Sequence, residues 1–225
     1  MKRVELLETL AGVLLALRPG HPLLLQRPLR VAVDGVDAAG KTSLADELAA
    51  VITPHRPVIR ASIDRFHNPR EVRYRLGPDS PEGYYADSFD LPALRRLLLD
   101  PLGPGGSRII QTGLFDFRAD AAQVNTPVEA TSDAVLLFDG VFLLRPELAH
   151  SWDYVIFVHV PFEEVLRRAV LRDANLFGSP QAVIDRYTKR YIPAQQAYLA
   201  QYRPEARADA VVYNEEPGNP GLKFR

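Results

Sequence analysis

Short apolar runs alternate along the chain with longer stretches in which apolar residues recur at helical spacing. This alternation is typical of βαβ units, in which helices connect parallel strands. The pattern predicts strands at 30–34, 57–62, 134–138, 154–160 and 210–213, and an extended hairpin arm at 108–117. It predicts helices at 41–52, 91–99, 162–175 and 180–202. We therefore expect an α/β fold with a mostly parallel sheet.

Two segments lack any periodicity. Residues 67–90 are rich in Arg, Pro, Gly and Tyr and predict a functional loop, and the Pro- and Gly-rich tail after Asn214 predicts a loop. No linker or repeat interrupts the chain. We therefore expect a single domain over 1–225, with an N-terminal amphipathic helix within 1–20 and a helical lid within about 162–202.

Composition narrows the function classes. Of 225 residues, 47% are hydrophobic and 24% charged, and the net charge is −1. Without a global basic field, we expect neither nucleic acid nor a membrane as partner. The absence of cysteine excludes disulfides and thiolate chemistry. Glu5 and Glu8 interrupt the apolar N-terminal run, which argues against a secretion signal. The chain is expected to be cytoplasmic, and a homo-oligomer stays open.

Residues 35–42 read Gly-Val-Asp-Ala-Ala-Gly-Lys-Thr and match the phosphate-binding motif G-x-x-x-x-G-K-[ST] at every fixed position. The motif lies between an apolar strand and a helical pattern, which is the context that it requires. Lys41 is expected to bridge the β- and γ-phosphates of ATP as a catalytic residue, and the Thr42 hydroxyl to ligate Mg²⁺. The expected nucleotide contacts are Gly35, Asp37, Ala38, Ala39, Gly40, Lys41, Thr42 and Ser43.

Two carboxylates follow predicted strands. Asp139 ends the apolar run 136–138 and is expected to hold Mg²⁺, although an Asp that shapes the following turn is the alternative. Asp64 follows the second strand, where parallel strands present ligands. We predict that Asp64 is the catalytic base, with an added contact to the metal. His67 is expected to contact substrate rather than to act as the base.

Four segments together carry a resemblance to a known family. They read Ser-Ile-Asp-Arg-Phe-His at 62–67, Tyr-Ala-Asp-Ser-Phe-Asp at 85–90, Leu-Phe-Asp-Phe at 114–117 and Arg-Arg-Ala-Val-Leu-Arg-Asp at 167–173. From Leu29 to Asn214 the chain resembles the uridine kinase family, in the group that includes phosphoribulokinase and bacterial pantothenate kinase. The resemblance implies a three-layer P-loop NTPase fold with a hairpin arm and a helical lid. It also implies transfer of the ATP γ-phosphate to a nucleoside 5′-hydroxyl.

The spacing of the lid arginines has two explanations, and the residues of the acceptor pocket depart from the family pattern. Arg168 and Arg172 lie one turn apart and suit nucleotide phosphates as a lid closes, but an ion pair with Glu164 also explains their spacing. Tyr84 stands where the family places a ribose-binding Asp, and Asp120 stands near its pyrimidine-reading His. Other groups could rebuild the pocket. The candidate substrate residues are His67, Tyr84, Tyr85, Phe115, Phe117 and Asp120, with Asp79 as a further acceptor of hydrogen bonds.

Three alternatives to a nucleoside kinase stay open. The acceptor could be a non-nucleoside hydroxyl metabolite, or the chain could be a thymidylate-kinase-type nucleotide kinase, whose P-loop is similar. A nucleotide-binding regulator without acceptor chemistry belongs to a different class. The chain lacks the Asn-Lys-x-Asp sequence that reads guanine, and a carboxylate beside the γ-phosphate would be idle in such a switch.

Overall fold

A computed structural model describes residues 1–18 and 27–225, and its centre is a six-stranded sheet. The strands of the chain are β1 Leu29–Gly35, β2 Val58–Ser62, β3 Ile109–Ile110, β4 Phe115–Asp116, β5 Ala121–Ala122, β6 Val128–Glu129, β7 Val135–Gly140, β8 Tyr154–His159, β9 Ala210–Tyr213 and β10 Gly221–Phe224. The sheet order is β10-β9-β8-β1-β7-β2. Every pair in it is parallel except β10 with β9. This is the α/β fold with a mostly parallel sheet that the sequence predicts.

Helices cover both faces of the sheet. They are α1 Arg3–Ala16, α2 Lys41–Ile52, α3 Arg70–Arg73, α4 Pro81–Asp87, α5 Leu91–Leu94, α6 Phe162–Phe177, α7 Pro180–Arg186, α8 Ile192–Tyr202 and α9 Pro204–Arg207, with wider helical turns continuing α5 over Arg95–Leu99 and joining α7 to α8 over Tyr187–Tyr191. One apolar core lies between the sheet and α1, α2 and α6. The second core lies on the opposite face, against α5 and α8. The central strands β1 and β7 are buried at every residue because both faces are covered.

The prediction of an irregular loop over 67–90 is wrong in part, because α3 and α4 lie within it. The Ser80 hydroxyl accepts a hydrogen bond from the Gly83 amide and Pro81 occupies the first turn, so α4 begins with a typical N-cap. With seven residues, α4 is too short to produce a recognisable apolar period.

Two further predictions are corrected. The tail after Asn214 is not only loop, because β10 pairs antiparallel with β9. The extended arm at 108–117 is not one continuous hairpin strand. Two short strands replace it: β3 pairs with β6, and β4 pairs with β5. Partners distant along the chain decide these pairings, which local alternation does not reveal.

The N-terminal segment predicted over 1–20 contains α1, and its residues 19 and 20 lie outside the described part of the chain. The single-domain organisation, with a lid within 162–202, stays a prediction. Among the described residues, no helix combines the length and the apolar character needed to cross a membrane.

Candidate active site

The phosphate-binding motif forms the connection between β1 and α2. Gly40, at φ +91°, is the left-handed residue from which α2 starts, and a Cβ there would lie 2.7 Å from the Asn214 amide nitrogen. A Cβ on Gly35 would lie 2.5 Å from the Val158 carbonyl oxygen, a backbone atom that cannot rotate away. Gly35 is therefore required by a close backbone approach, and Gly40 by its left-handed conformation. The loop leads into the N-terminus of a helix, which favours a bound phosphate.

Lys41 and Thr42 point their polar atoms into this connection. The Lys41 ammonium is largely buried and donates to the Val36 carbonyl oxygen at 2.7 Å. The Thr42 hydroxyl donates to the Asp139 carboxylate at 2.7 Å. Because β1 and β7 are adjacent and parallel, with Val33 opposite Asp139, the carboxylate lies at the same sheet edge as the loop. The cation, hydroxyl and carboxylate that the motif predicts thus lie together.

This donor set fits a magnesium–nucleotide complex. No group of three His, Cys, Asp or Glu side chains that could hold a metal occurs among the described residues. Mg²⁺ in kinase sites takes one or two protein ligands and completes its shell with phosphate oxygens and water. The Thr42 hydroxyl and the Asp139 carboxylate supply those few protein ligands.

Asp139 has a partner that the sequence did not reveal. The Arg60 guanidinium on β2 donates to the Asp139 carboxylate at 2.8 Å, and the Ser62 hydroxyl lies 3.3 Å from it. Asp139 is almost fully buried, so the Arg60 cation offsets the cost of an isolated buried charge. The pairing of Ser62 with Asp139 in the β2–β7 register brings these side chains to one place.

Asp64 lies in the turn Ile63–Phe66 that follows β2. Asp64 is an exposed residue, and neighbouring protein atoms desolvate its carboxylate in part. This partial desolvation raises the pKa of Asp64, and the nearby carboxylates of Asp37 and Asp139 add to the rise, while His67 and Lys41 oppose it. Charges of both signs therefore act on the Asp64 carboxylate. The Asp64 carboxylate therefore lies within the electrostatic influence of the P-loop charges and Asp139, and its role as the base stays a prediction.

His67 forms part of an aromatic wall beside Asp64. Its ring stacks on Phe117 with centroids 4.9 Å apart and contacts Phe89 at 4.6 Å. Its Nδ1 lies 2.9 Å from the backbone carbonyl oxygen of Asp64, so a neutral ring with a proton on Nδ1 donates there. Burial lowers the pKa of His67, in spite of the Asp64 carboxylate. His67 is thus neutral at pH 7, and one ring nitrogen is occupied by the backbone.

Tyr84, on α4, binds the P-loop instead of leaving its hydroxyl for a ligand. The Tyr84 hydroxyl donates to the Asp37 carboxylate at 2.8 Å, and the Gln195 amide donates to the same oxygen at 2.6 Å. In return, the Gln195 side-chain oxygen accepts the Asp37 backbone N–H at 2.9 Å. Buried Gln195 was missed by sequence reasoning because nothing in its neighbourhood along the chain marks it. Its partner is 158 residues away.

The remaining aromatic candidates separate into two places. The Tyr85 hydroxyl is 3.1 Å from that of Tyr202, and the Arg145 guanidinium lies 4.2 Å from the Tyr85 ring centroid. The structure therefore turns Tyr85 toward the end of α8 and Arg145. Phe115 is buried within the β4–β5 hairpin. Of the three, Phe117 alone lies against His67.

Asp120 lies at the turn of the β4–β5 hairpin, and its carboxylate is engaged by α3. It accepts the Arg70 backbone N–H at 3.0 Å and the Arg73 guanidinium at 2.7 Å. Asp79, the other candidate, lies 3.8 Å from the Arg186 guanidinium. Both carboxylates therefore have arginine partners within the protein.

The two lid arginines also have protein partners. The Arg168 guanidinium pairs with Glu164 at 2.6 Å and donates to the carbonyl oxygens of Asn214 and Glu215 at 2.6 and 2.9 Å. Arg172 pairs with Asp173 at 2.7 Å and donates to the Tyr187 hydroxyl at 3.0 Å. The ion pair with Glu164, considered from the sequence, is present. A phosphate-binding role for both arginines stays a prediction.

A separate cavity of about 550 Å³ opens at the β8–β9 side of the sheet, beneath α9. Its charged or polar lining residues are His159, Arg203, Glu205, Tyr213, Lys223 and Arg225. None of the predicted site residues lines it. The clustered charges around Asp64, rather than the size of a cavity, therefore locate the candidate active site.

Comparisons with known proteins agree with this geometry. No family model matches the chain. A uridine kinase from Lactobacillus helveticus is 24% identical over 181 residues, which cover 78% of this chain and 82% of the relative. A solved structure of a possible uridine kinase from Bacillus stearothermophilus superposes with a TM-score of 0.71 at 23% identity, covering 91% of this chain and 96% of that one.

D-glycerate 3-kinase from Cryptococcus neoformans shares the fold, with a TM-score of 0.69 at 16% identity over 98% of this chain and 99% of the neighbour. The fold, the phosphate-binding loop with its paired carboxylate and these relatives lead to one conclusion. The chain is an ATP-dependent kinase of a small molecule, and it is similar to uridine kinases.

Proposed function

We propose that the protein transfers the γ-phosphoryl group of ATP to a hydroxyl of a small metabolite, with Asp64 as the base. The observation that carries the proposal is the position of Asp64 at the end of β2, among the charges of Asp37, Lys41 and Asp139. A bond forms from the acceptor oxygen to the γ-phosphorus while the bond to the ADP oxygen breaks. The hydroxyl proton passes to the Asp64 carboxylate.

The remaining residues hold and orient the nucleotide. Backbone N–H groups of 35–43 bind the phosphates, and Lys41 stabilises the negative charge that builds up during transfer. For that contact, the Lys41 ammonium exchanges the Val36 carbonyl for phosphate oxygens. Mg²⁺, held by Thr42 and Asp139, supplies charge neutralisation when bound. Arg168 and Arg172 are proposed to reach the nucleotide after exchanging their present partners.

The relatives support a nucleoside as the first candidate acceptor. Two contacts favour a second candidate, a non-nucleoside hydroxyl metabolite. Tyr84 and Asp120 occupy the positions of the family's ribose- and base-reading residues, and each is engaged within the protein, by Asp37 and by Arg73 respectively. A pocket without matching hydrogen-bond partners discriminates strongly against a ligand that needs them. We therefore expect uridine and cytidine to be poor substrates.

The testing experiment is a coupled assay of ADP release with acceptors added one at a time, including nucleosides, pantothenate and sugar acids. The proposal requires ADP formation that depends on an acceptor and is lost in Asp64→Asn. ADP release that is equal with and without every acceptor would instead indicate the nucleotide-binding regulator. A kcat/KM for uridine tenfold above all other acceptors would refute the expectation about the pocket. The cytoplasmic location and any homo-oligomer stay predictions.

A further inference from the structure

Four guanidinium groups surround the ring of Tyr74, immediately after α3. Their carbon atoms lie 4.9 to 5.7 Å from the ring centroid, and they belong to Arg70, Arg73, Arg186 and Arg190. Two carboxylates lie against this arginine cluster: Asp120 at 2.7 Å from Arg73 and Asp79 at 3.8 Å from Arg186. Among the described residues, the cluster therefore keeps an excess of positive charge.

The arginines of the cluster differ in what their guanidinium groups bind. Arg190 is 1% exposed and donates to the carbonyl oxygens of Gly77, Ser80 and Arg73, so it fixes the 73–80 segment. Arg186 donates to the Pro78 carbonyl oxygen and adds to the same scaffold. Arg186 and Arg190 thus bind backbone carbonyl oxygens of the 73–80 segment. The charge that stays available to a ligand lies nearer to α3.

Arg73 has one buried donor without a partner. The residue is 9% exposed, and its Nη2 donates to Asp120, but its Nε has no hydrogen-bond partner among the described residues. A buried N–H of a charged group that lacks an acceptor is costly, and native structures rarely keep one without a reason. The geometry of a guanidinium suits an oxyanion, which accepts from Nε and a terminal nitrogen together.

This donor belongs to the acceptor side of the active site. Burial is the main cause that lowers the pKa of His67, and the positive charge of Arg73 lowers this pKa further. His67 binds the backbone of Asp64 and stacks on Phe117 of the hairpin. The hairpin turn also carries Asp120, the partner of Arg73. The wall that faces the proposed base therefore carries a cation.

We propose that the acceptor carries an oxyanion, a carboxylate or a phosphate, in addition to the hydroxyl that is phosphorylated, and that Arg73 binds this oxyanion. The inference rests on the proposed kinase function and narrows its substrate class. The oxyanion takes the unpartnered Nε of Arg73 and competes with Asp120 for the terminal nitrogen. A neutral nucleoside leaves both groups as they are and gains nothing from the cluster.

Matched acceptor pairs test the charge requirement. Glycerol is compared with D-glycerate, and ribose with ribose 5-phosphate, with uridine as the neutral nucleoside, all at saturating ATP and Mg²⁺. The inference expects an acid to exceed its neutral counterpart at least tenfold in kcat/KM, and the pair that shows the effect distinguishes carboxylate from phosphate. If uridine or a neutral partner equals or exceeds the acids, or if no acid is phosphorylated, the inference is wrong.

Two variants separate ligand binding from a structural ion pair. Arg73→Gln should raise KM for the acid about ten- to hundredfold, the usual cost of losing a charge-assisted hydrogen bond, with KM for ATP unchanged. Asp120→Asn should leave that KM unchanged or lower it, because a competing carboxylate is removed. A purely structural pair predicts that both variants raise KM alike, which would overturn the inference. Arg96→Gln, an exposed arginine outside the cluster, is the control.

A different result would refute the proposed kinase function. If no acceptor in the wider panel stimulates ADP release, the phosphotransferase itself is refuted. If uridine stimulates ADP release at least as well as the acids do, and Arg73→Gln leaves KM for the acids unchanged, the kinase stands and the oxyanion inference alone falls.

Discussion

Replacing Asp64 with Asn removes one negative charge and the proton acceptor at the end of β2, while it keeps the size of the side chain. Asp64 makes few contacts that Asn cannot make, because its backbone N–H, not its carboxylate, binds the Ser62 hydroxyl at 3.3 Å. The fold around the P-loop should therefore persist. The loss falls on proton transfer, and kcat should drop by roughly 10² to 10⁴.

The charges around Asp64 determine the expected effects of Asp64→Asn on KM for ATP and on the unfolding temperature. Asp37 and Asp139 add to the negative field there, and Lys41 opposes it. Removing one of three nearby carboxylates lessens repulsion toward the nucleotide but also removes a possible metal contact, so KM for ATP should change less than kcat. The pKa of Asp64 is raised in the folded protein, so its ionised form disfavours folding above its ordinary pKa of 3.8. Asp64→Asn should therefore unfold at the same or a higher temperature than wild type at pH 7.

Single-turnover transfer with ATP and acceptor saturating is the decisive assay, with thermal unfolding as the control for folding. His67→Ala serves as the matched variant, since His67 lies beside Asp64 but is expected to affect mainly KM for the acceptor. The assignment is reversed if His67→Ala abolishes transfer while Asp64→Asn stays near the wild-type rate. A lower unfolding temperature for Asp64→Asn would instead refute the reasoning about its charge.

Three further predictions concern Lys41, Mg²⁺ and Asp34, a buried carboxylate on β1. Lys41→Ala should lower kcat by roughly 10² or more while the fold persists, and near-wild-type kcat at saturating ATP and Mg²⁺ would contradict the role of Lys41. Chelation of Mg²⁺ by EDTA should abolish ADP release and added Mg²⁺ should restore it, whereas activity in EDTA would exclude the proposed roles of Thr42 and Asp139. Burial raises the pKa of Asp34 to about 6, from 3.8, so the folded state holds this proton more tightly. Stability should fall by about 2 kcal/mol between pH 4 and 7 through this group alone. Urea unfolding of the wild type should show this fall and that of Asp34→Asn should not, while equal pH dependence would contradict the assignment.

The sequence by itself determined the features that depend on a few consecutive residues. Apolar runs mark the core strands because both faces of a parallel sheet are buried, and the fixed spacing of residues 35–42 marks a phosphate loop because glycine geometry and a helix start are local properties. Asp64 and Asp139 were proposed from the sequence because each follows an apolar strand, and parallel strands present ligands at their carboxyl ends. The prediction that the strand before Asp64 lies next to the P-loop strand is wrong, because β7 lies between β1 and β2.

Only the tertiary structure decided which polar side chains form hydrogen bonds or ion pairs within the protein. Tyr84 binds Asp37 across 47 residues, and Arg73 binds Asp120 across 47, so two candidate substrate residues are engaged within the protein. Arg60 reaches Asp139 across 79 residues. The pairing of β10 with β9 was hidden in the same way, behind a Pro- and Gly-rich turn. Hydrogen bonds and ion pairs between distant residues leave no periodic trace in the sequence, because they arise from the packing of separate elements, and that packing defines the acceptor pocket.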